Sequence, residues 1–174
     1  MIIEIFKPNK NVTGHAFFME LMPDLKKDKE GLELTSLFFR FVKQSGWDEK
    51  SSTGSFGSSF KKDGKDARIK LSEFEAGSII RFLSNGKDWS TVHKSPHNKN
   101  TTQIKATTFT AGSGNYARTC YSISIIQNGS DKYGISLEMG EGECLKKALE
   151  TYLVQRYAKK TQFQLNYMKN KNGN

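Results

Sequence analysis

Apolar residues alternate with polar ones, or run nearly unbroken, over residues 2–6, 15–22, 34–44, 55–61 and 66–71, and clusters of Asn, Gly, Asp and Lys divide these runs. A period of two sends successive side chains to opposite faces of an extended chain, so each run predicts a strand. After the fifth run the period changes. Ser72-Glu73-Phe74-Glu75 has the Ser-x-x-Glu form in which a hydroxyl and a carboxylate satisfy the free amides of a helix start, and Ile79, Ile80, Phe82 and Leu83 follow at helical spacing. A helix is predicted over 73–84, ended by Asn85-Gly86.

The order then recurs. Strand-like runs at 90–94, 102–110, 117–127 and 132–137 lead into a helical pattern over 141–159. The junctions match residue by residue at an offset of 66: Ile69 meets Ile135, Leu71 meets Leu137, Glu75 meets Glu141, Ile79 meets Leu145, Arg81 meets Lys147 and Leu83 meets Leu149. Such self-similarity marks a repeated supersecondary unit. The expected class is α+β: two repeats, each a four-stranded antiparallel sheet followed by a helix. The chain reads as one duplicated domain over 1–167, with repeat one at about 12–86 and repeat two at about 87–159. Residues 168–174 read as a basic flexible tail.

Charge sharpens this picture. The 174 residues carry 27 Lys and Arg against 18 Asp and Glu, a net +9. The first 56 residues are balanced, with eight of each sign, whereas 57–118 hold eleven basic and five acidic residues and 119–174 hold eight and five. A positive excess confined to part of a chain attracts a polyanion. No run approaches the ~18 apolar residues of a membrane span, and the start lacks the pattern of a secretory signal, so an intracellular location away from membranes is expected: cytoplasm, nucleoid or, for a viral protein, host cytoplasm. Cys120 and Cys144 lack metal-ligand or redox spacing and are expected to be free thiols.

Catalytic chemistry is hard to assemble from this sequence. Pro96 lies between His93 and His97 and excludes the helix that would bring an i, i+4 pair onto one metal. Glu138, Glu141 and Glu143 sit where carboxylates commonly face a helix N-terminus. The glycine-rich stretches at 54–57 and 112–114 lack the Lys-Ser/Thr of a phosphate loop. No enzyme, cofactor or metal site is expected.

Single-stranded nucleic acid is held by rings that stack on bases and by cations that follow phosphates, and this chain interleaves the two. In run 34–44 the odd positions Leu37, Phe39 and Phe41 form one apolar face, while Phe38, Arg40 and Gln44 point the other way, and Lys43 adds a cation near the end of the run. Trp47 precedes Phe56, Phe60, Lys61 and Lys62. Trp89, His93 and Lys94 open the second repeat, and Lys105, Phe109 and Arg118 follow on its strands. A single Phe is more often core and a single Lys more often solvated, so the expectation rests on the co-occurrence of these residues in both repeats, as two comparable surfaces.

The paired junctions IKLSEFEAGSIIRFL and ISLEMGEGECLKKAL, with KQSGWDEKSSTGSF and STVHKSPHNKNTTQIKATTF, resemble the Whirly-like single-stranded DNA-binding superfamily over about 12–158. The compact Asn- and Lys-rich style suggests a viral or bacterial member. The resemblance implies sheets packed roughly orthogonally, helices that help build a homo-oligomer, a dimer or tetramer, and single strands lying across or between the exposed sheets of protomers. The Lys-Gly-Lys-Ala-rich strand of plant members is absent, with Lys61-Lys62-Asp63-Gly64-Lys65 a loose echo. The expected function is sequence-independent binding of single-stranded DNA in replication, recombination or repair. The rivals are RNA binding or annealing, as some relatives bind guide RNA, and a non-catalytic protein-interaction module.

Overall fold

Four strands of the amino-terminal half hydrogen-bond side by side, all antiparallel: β1 (Ile3–Lys7), β2 (His15–Pro23), β3 (Thr35–Lys43) and β6 (Asp66–Leu71), in the order β1-β2-β3-β6. Between β3 and β6 lies a small hairpin of β4 (Gly46–Asp48) and β5 (Thr53–Ser55). Helix α1 (Glu73–Asn85) follows. The second half repeats the plan with β7 (Trp89–Lys94), β8 (Thr101–Ala111), β9 (Arg118–Gln127) and β10 (Asp131–Leu137), in the order β10-β9-β8-β7, and then α2 (Met139–Asn172). These elements come from a computed structural model that describes residues 2–23, 34–60, 64–94 and 101–172.

The expected α+β duplication is therefore present, with three corrections. The run 55–61 is not a sheet strand. Its described part folds as the end of β5 and a 3-10 turn at Gly57–Ser59, because Phe56 and Ser59 turn inward and are buried. The fourth strand of the first sheet is instead β1, so the first unit begins at Ile3 rather than near residue 12. The second helix, predicted to stop near residue 159, continues to Asn172, since no Gly or Pro interrupts its 34 residues before that point except Gly140 and Gly142 in its first turn.

The offset of 66 residues corresponds to real equivalence. Ile69 and Leu71 on β6, like Ile135 and Leu137 on β10, are buried, and so are Ile79 and Leu83 on α1 and Leu145 and Leu149 on α2. One core joins both units: Phe17, Phe39 and Phe41 from the first sheet, Ile104, Ile123 and Ile125 from the second, and the inner faces of both helices. Phe82 of α1 meets Tyr121 of β9 edge to face, with centroids 5.5 Å apart, and the Tyr121 hydroxyl donates to the Leu83 carbonyl at 3.3 Å. The Ser72 cap operates as predicted, with its hydroxyl accepting from the Glu75 amide and the Glu75 carboxylate accepting from the Ser72 amide. Gly86 closes α1 in the left-handed region at φ 68°, where a side chain would be strained.

Candidate nucleic-acid interface

Cross-strand register assigns every strand residue to one of two faces, and the outward faces of the two sheets differ. On the first sheet Phe18, Arg40 and Arg68 form one rung, and Glu20, Phe38 and Lys70 the next. The charges there are already engaged. Arg40 donates from Nε to Asp66 Oδ1 at 2.9 Å, makes a second contact to the same carboxylate, and lies 3.7 Å from Glu20. Hydrogen bonding to Asp66 holds the Arg40 pKa above its ordinary value. Arg68 pairs with Glu20 at 2.9 Å and covers the Phe38 ring at 4.1 Å, and Arg40 covers Phe60 at 4.7 Å.

The segment after β5 lies over this face. Phe56 is only 6% exposed and joins Ala16, Phe18 and Val42 in a second apolar cluster, with Phe60 packed at its margin. Phe38, Arg40, Phe56 and Phe60, expected to face a ligand, are thus occupied within the protein. Burial of apolar ring area and pairing of opposite charges both favour this closed arrangement.

The outward face of the second sheet is open. Its rungs are Ser90, Lys105, Ser124 and Gly134; Val92, Gln103, Ile126 and Lys132; Thr107, Ser122 and Ser136; and Phe109 with Cys120. Lys94 stands beside Thr101 at one end and Arg118 beside Ala111 at the other. Among the described residues no carboxylate occupies an outward position on these four strands. Small hydroxyl side chains, with Val92, Gln103 and Ile126, occupy the positions between the cations. Pairing of β8 with β7 stops at Ala106 and that of β9 with β10 stops at Tyr121, so β8 and β9 continue alone as a ribbon. This ribbon carries Phe109, 39% exposed, and Tyr116, 86% exposed at the tip.

At the base of the ribbon the face ends in a cleft of about 430 Å³ between the second sheet and the β1–β2 turn, lined by Lys7, His15, Phe109, Arg118, Cys120 and Ser136 among others. Gln44, almost wholly buried, holds that turn in place. Its amide nitrogen donates to Asn9 O and Gly46 O, and its oxygen accepts from the Asn9 and Gly14 amides. A Cβ at Gly14 would lie 2.3 Å from the Lys7 carbonyl, so the close approach requires glycine. Lys7 pairs with Glu141 at 2.6 Å, and Arg118 meets Glu138 at 2.9 Å with both side chains largely exposed. Burial, and then the charge of Lys43, hold the His15 pKa below 6.5. Its Nε2 is buried without a hydrogen-bond partner.

Of the residues singled out from sequence, the structure brings Lys94, Lys105, Phe109 and Arg118 together on the open face. Lys43 is not among them, since its ammonium sits over Tyr133 between the sheets. Trp89 and His93 lie on the inner side of β7, His93 in contact with Glu75 of α1, so they do not share the face of Lys94. Trp47 is half-buried in the β4–β5 hairpin, with a buried and unpartnered Nε1. Lys61 and Lys62 lie outside the described residues. Sequence reasoning passed over Lys132, Tyr116 and Lys7. Lys132 could have been found from its alternation with the buried Tyr133 and Ile135, but Lys7 enters the cleft only through tertiary packing.

None of the described helices is long and apolar enough to cross a membrane, and no group of three or more metal-ligating side chains converges among the described residues. No protein-family model matches the chain, and no curated protein matches it significantly in sequence. Solved structures do match in shape. WHY1 from Arabidopsis thaliana aligns with TM-score 0.58 at 16% identity, covering 95% of this chain and 92% of that one. WHY3 from Arabidopsis thaliana aligns with TM-score 0.56 at 12% identity over 92% of each chain. The plant transcriptional regulator PBF-2 aligns with TM-score 0.56 at 16% identity, over 90% of this chain and 91% of that one. Two four-stranded antiparallel sheets, each closed by a helix and aligned over nearly the whole length of these neighbours, give this chain the Whirly-like fold.

Proposed function

We propose that the chain is a non-catalytic, intracellular protein that binds single-stranded DNA with little regard to sequence and protects it during replication, recombination or repair. The observation that carries this reading is the contrast between the two outward faces. One has its cations paired and its rings covered; the other presents the exposed Lys94, Lys105 and Lys132 along the sheet, with Phe109 farther along β8 on the ribbon and Arg118 beside it, paired there with the exposed Glu138. The strand runs over the second sheet toward the ribbon, with phosphates on the cations and bases against Phe109 and Tyr116. A duplex cannot offer its base faces to these rings.

The protein works as a homo-oligomer. This is supported by the outer side of α2, where Val154, Tyr157, Leu165 and Met168 are exposed at spacings of three, eight and three residues, on one helical face.

Fluorescence anisotropy of a labelled single strand, the matched duplex and the matched RNA tests the reading. Preference for the DNA strand over the duplex, weakening with salt at a log–log slope of about −0.7 per phosphate contacted, is expected. Equal weak binding to strand and duplex overturns it, and preference for the RNA reassigns the ligand.

A further inference from the structure

Trp89 is the ring that the open face leaves unused. Register places it on the inner side of β7, where it packs against the edge of the core. Beside it, between β7 and the end of α1, is a second cleft of about 280 Å³, lined by Ser78, Arg81, Asn85, Lys87 and Asp88 with Phe82 at its floor. Arg81 and Lys87 are both exposed. Asp88 is the acidic side chain lining the cleft, and its Oδ1 already accepts from the Thr108 amide at 3.1 Å. The C-terminal end of a helix repels anions through its free carbonyls, but here two of them are occupied: Phe82 O accepts from the Gly86 amide and Leu83 O from the Tyr121 hydroxyl.

An indole face, two exposed cations beside it and polar groups at the rim form the arrangement that a nucleotide requires: a ring for the base and positive charge for the phosphate. Strand β7 is the edge of its sheet, and its residues alternate between the two sides. Ser90, Val92 and Lys94 face the open surface, while Trp89 and Thr91 face inward. A chain leaving the open surface across this edge arrives at the cleft.

The geometry points to a second binding site: the Trp89 cleft takes one nucleotide of the bound strand, with the base on the indole and the phosphate on Arg81 and Lys87. This rests on the single-strand reading above, and it extends the footprint around the β7 edge.

The test follows Trp89 directly. In a Trp47→Phe protein, deoxyadenosine monophosphate and a single-stranded 30-mer are expected to change the remaining tryptophan emission saturably. The double variant Arg81→Glu/Lys87→Glu should weaken the mononucleotide response about tenfold or more, since losing even one of its two charge-assisted contacts is worth about that much. Lys105→Glu/Lys132→Glu should leave the mononucleotide response intact while weakening the 30-mer. If Trp47→Phe does not fold, 5-fluorotryptophan in the otherwise unchanged protein gives a resonance for each tryptophan, and one should move with the mononucleotide only while Arg81 and Lys87 are present. No response of Trp89 to either ligand, or a response indifferent to Arg81 and Lys87, overturns the second site. Failure of Lys105→Glu/Lys132→Glu to weaken the 30-mer overturns the open-face reading instead.

Discussion

The ammonium of Lys43 lies 4.4 Å from the centre of the Tyr133 ring, joining β3 of the first sheet to β10 of the second. Tyr133 is almost wholly buried, so this contact is made where the two units meet. Lys43→Met should therefore cost about 0.5–2 kcal/mol of stability, read from urea denaturation, and leave single-strand affinity unchanged. A large loss of affinity with unchanged stability would return Lys43 to the binding surface.

On the open face, Lys105 and Lys132 stand on neighbouring rungs of the sheet, with exposed side chains. Reversing both charges should reduce single-strand affinity strongly at low salt and flatten the salt dependence by about two phosphate contacts. Surface substitutions of this kind change stability by about 0.5 kcal/mol or less, so the thermal midpoint should stay in place.

Phe109 offers its ring on the same face, four residues along β8 from Lys105. Phe109→Ala should weaken binding by about 1–3 kcal/mol, the usual worth of one stacked base, with weak dependence on salt. Phe56→Ala should do the opposite: it empties the cluster behind the first sheet, costs about 3–5 kcal/mol of stability and leaves the binding face intact. Chemical denaturation and anisotropy on the same pair of variants separate the two roles.

His15 stands in the ladder between Lys7 and Lys43, and its pKa is held down by burial and then by Lys43. A group whose folded pKa is depressed below 6.5 binds its proton first in the unfolded chain. Stability should consequently be complete above that pH and fall as the pH drops through it. Urea midpoints measured on either side of the transition should show the decline, and His15→Gln should flatten it.

Glu73, at the start of α1, receives Arg156 and, at 2.6 Å, Lys160 from α2. Burial raises its pKa, but the hydrogen bonds from Lys160 and Arg156 outweigh this and hold it below the ordinary carboxylate range. Glu73→Gln leaves Arg156 partly buried without its carboxylate, and a loss of about 1–3 kcal/mol is expected in urea denaturation. The apolar outer side of α2, from Val154 to Met168, is exposed to meet another copy. Val154→Lys with Leu165→Lys should lower the mass found by light scattering without unfolding the monomer.

Much of this molecule was legible from local pattern. The Ser72 cap, the Gly86 stop and the equivalence of Ile69 with Ile135 and Leu83 with Leu149 depend on contacts within a few residues, or on which side of one element is apolar. The open-face residues Lys105 and Phe109 were legible for the same reason, since alternation with the buried Ile104 and Ala106 settles their side. The segment 55–61 misled because Phe56 and Phe60 have the spacing of a strand face, yet their partners are Phe18 and Val42, far away in sequence.

By itself, then, the sequence determined the duplicated strand-and-helix plan, the helix boundaries nearest their caps and the two-sidedness of each strand, because backbone geometry imposes these within a few residues. Only the tertiary structure decided which of two similar faces stays open. Asp66 and Glu20 neutralise Arg40 and Arg68, and Phe56 folds over the first sheet, whereas among the described residues the second sheet has no carboxylate at its outward strand positions, and its Lys105 and Lys132 stay exposed. Charge pairing and apolar burial act through space, so nothing in either repeat read alone distinguishes a cation that awaits a phosphate from one already held by its neighbour.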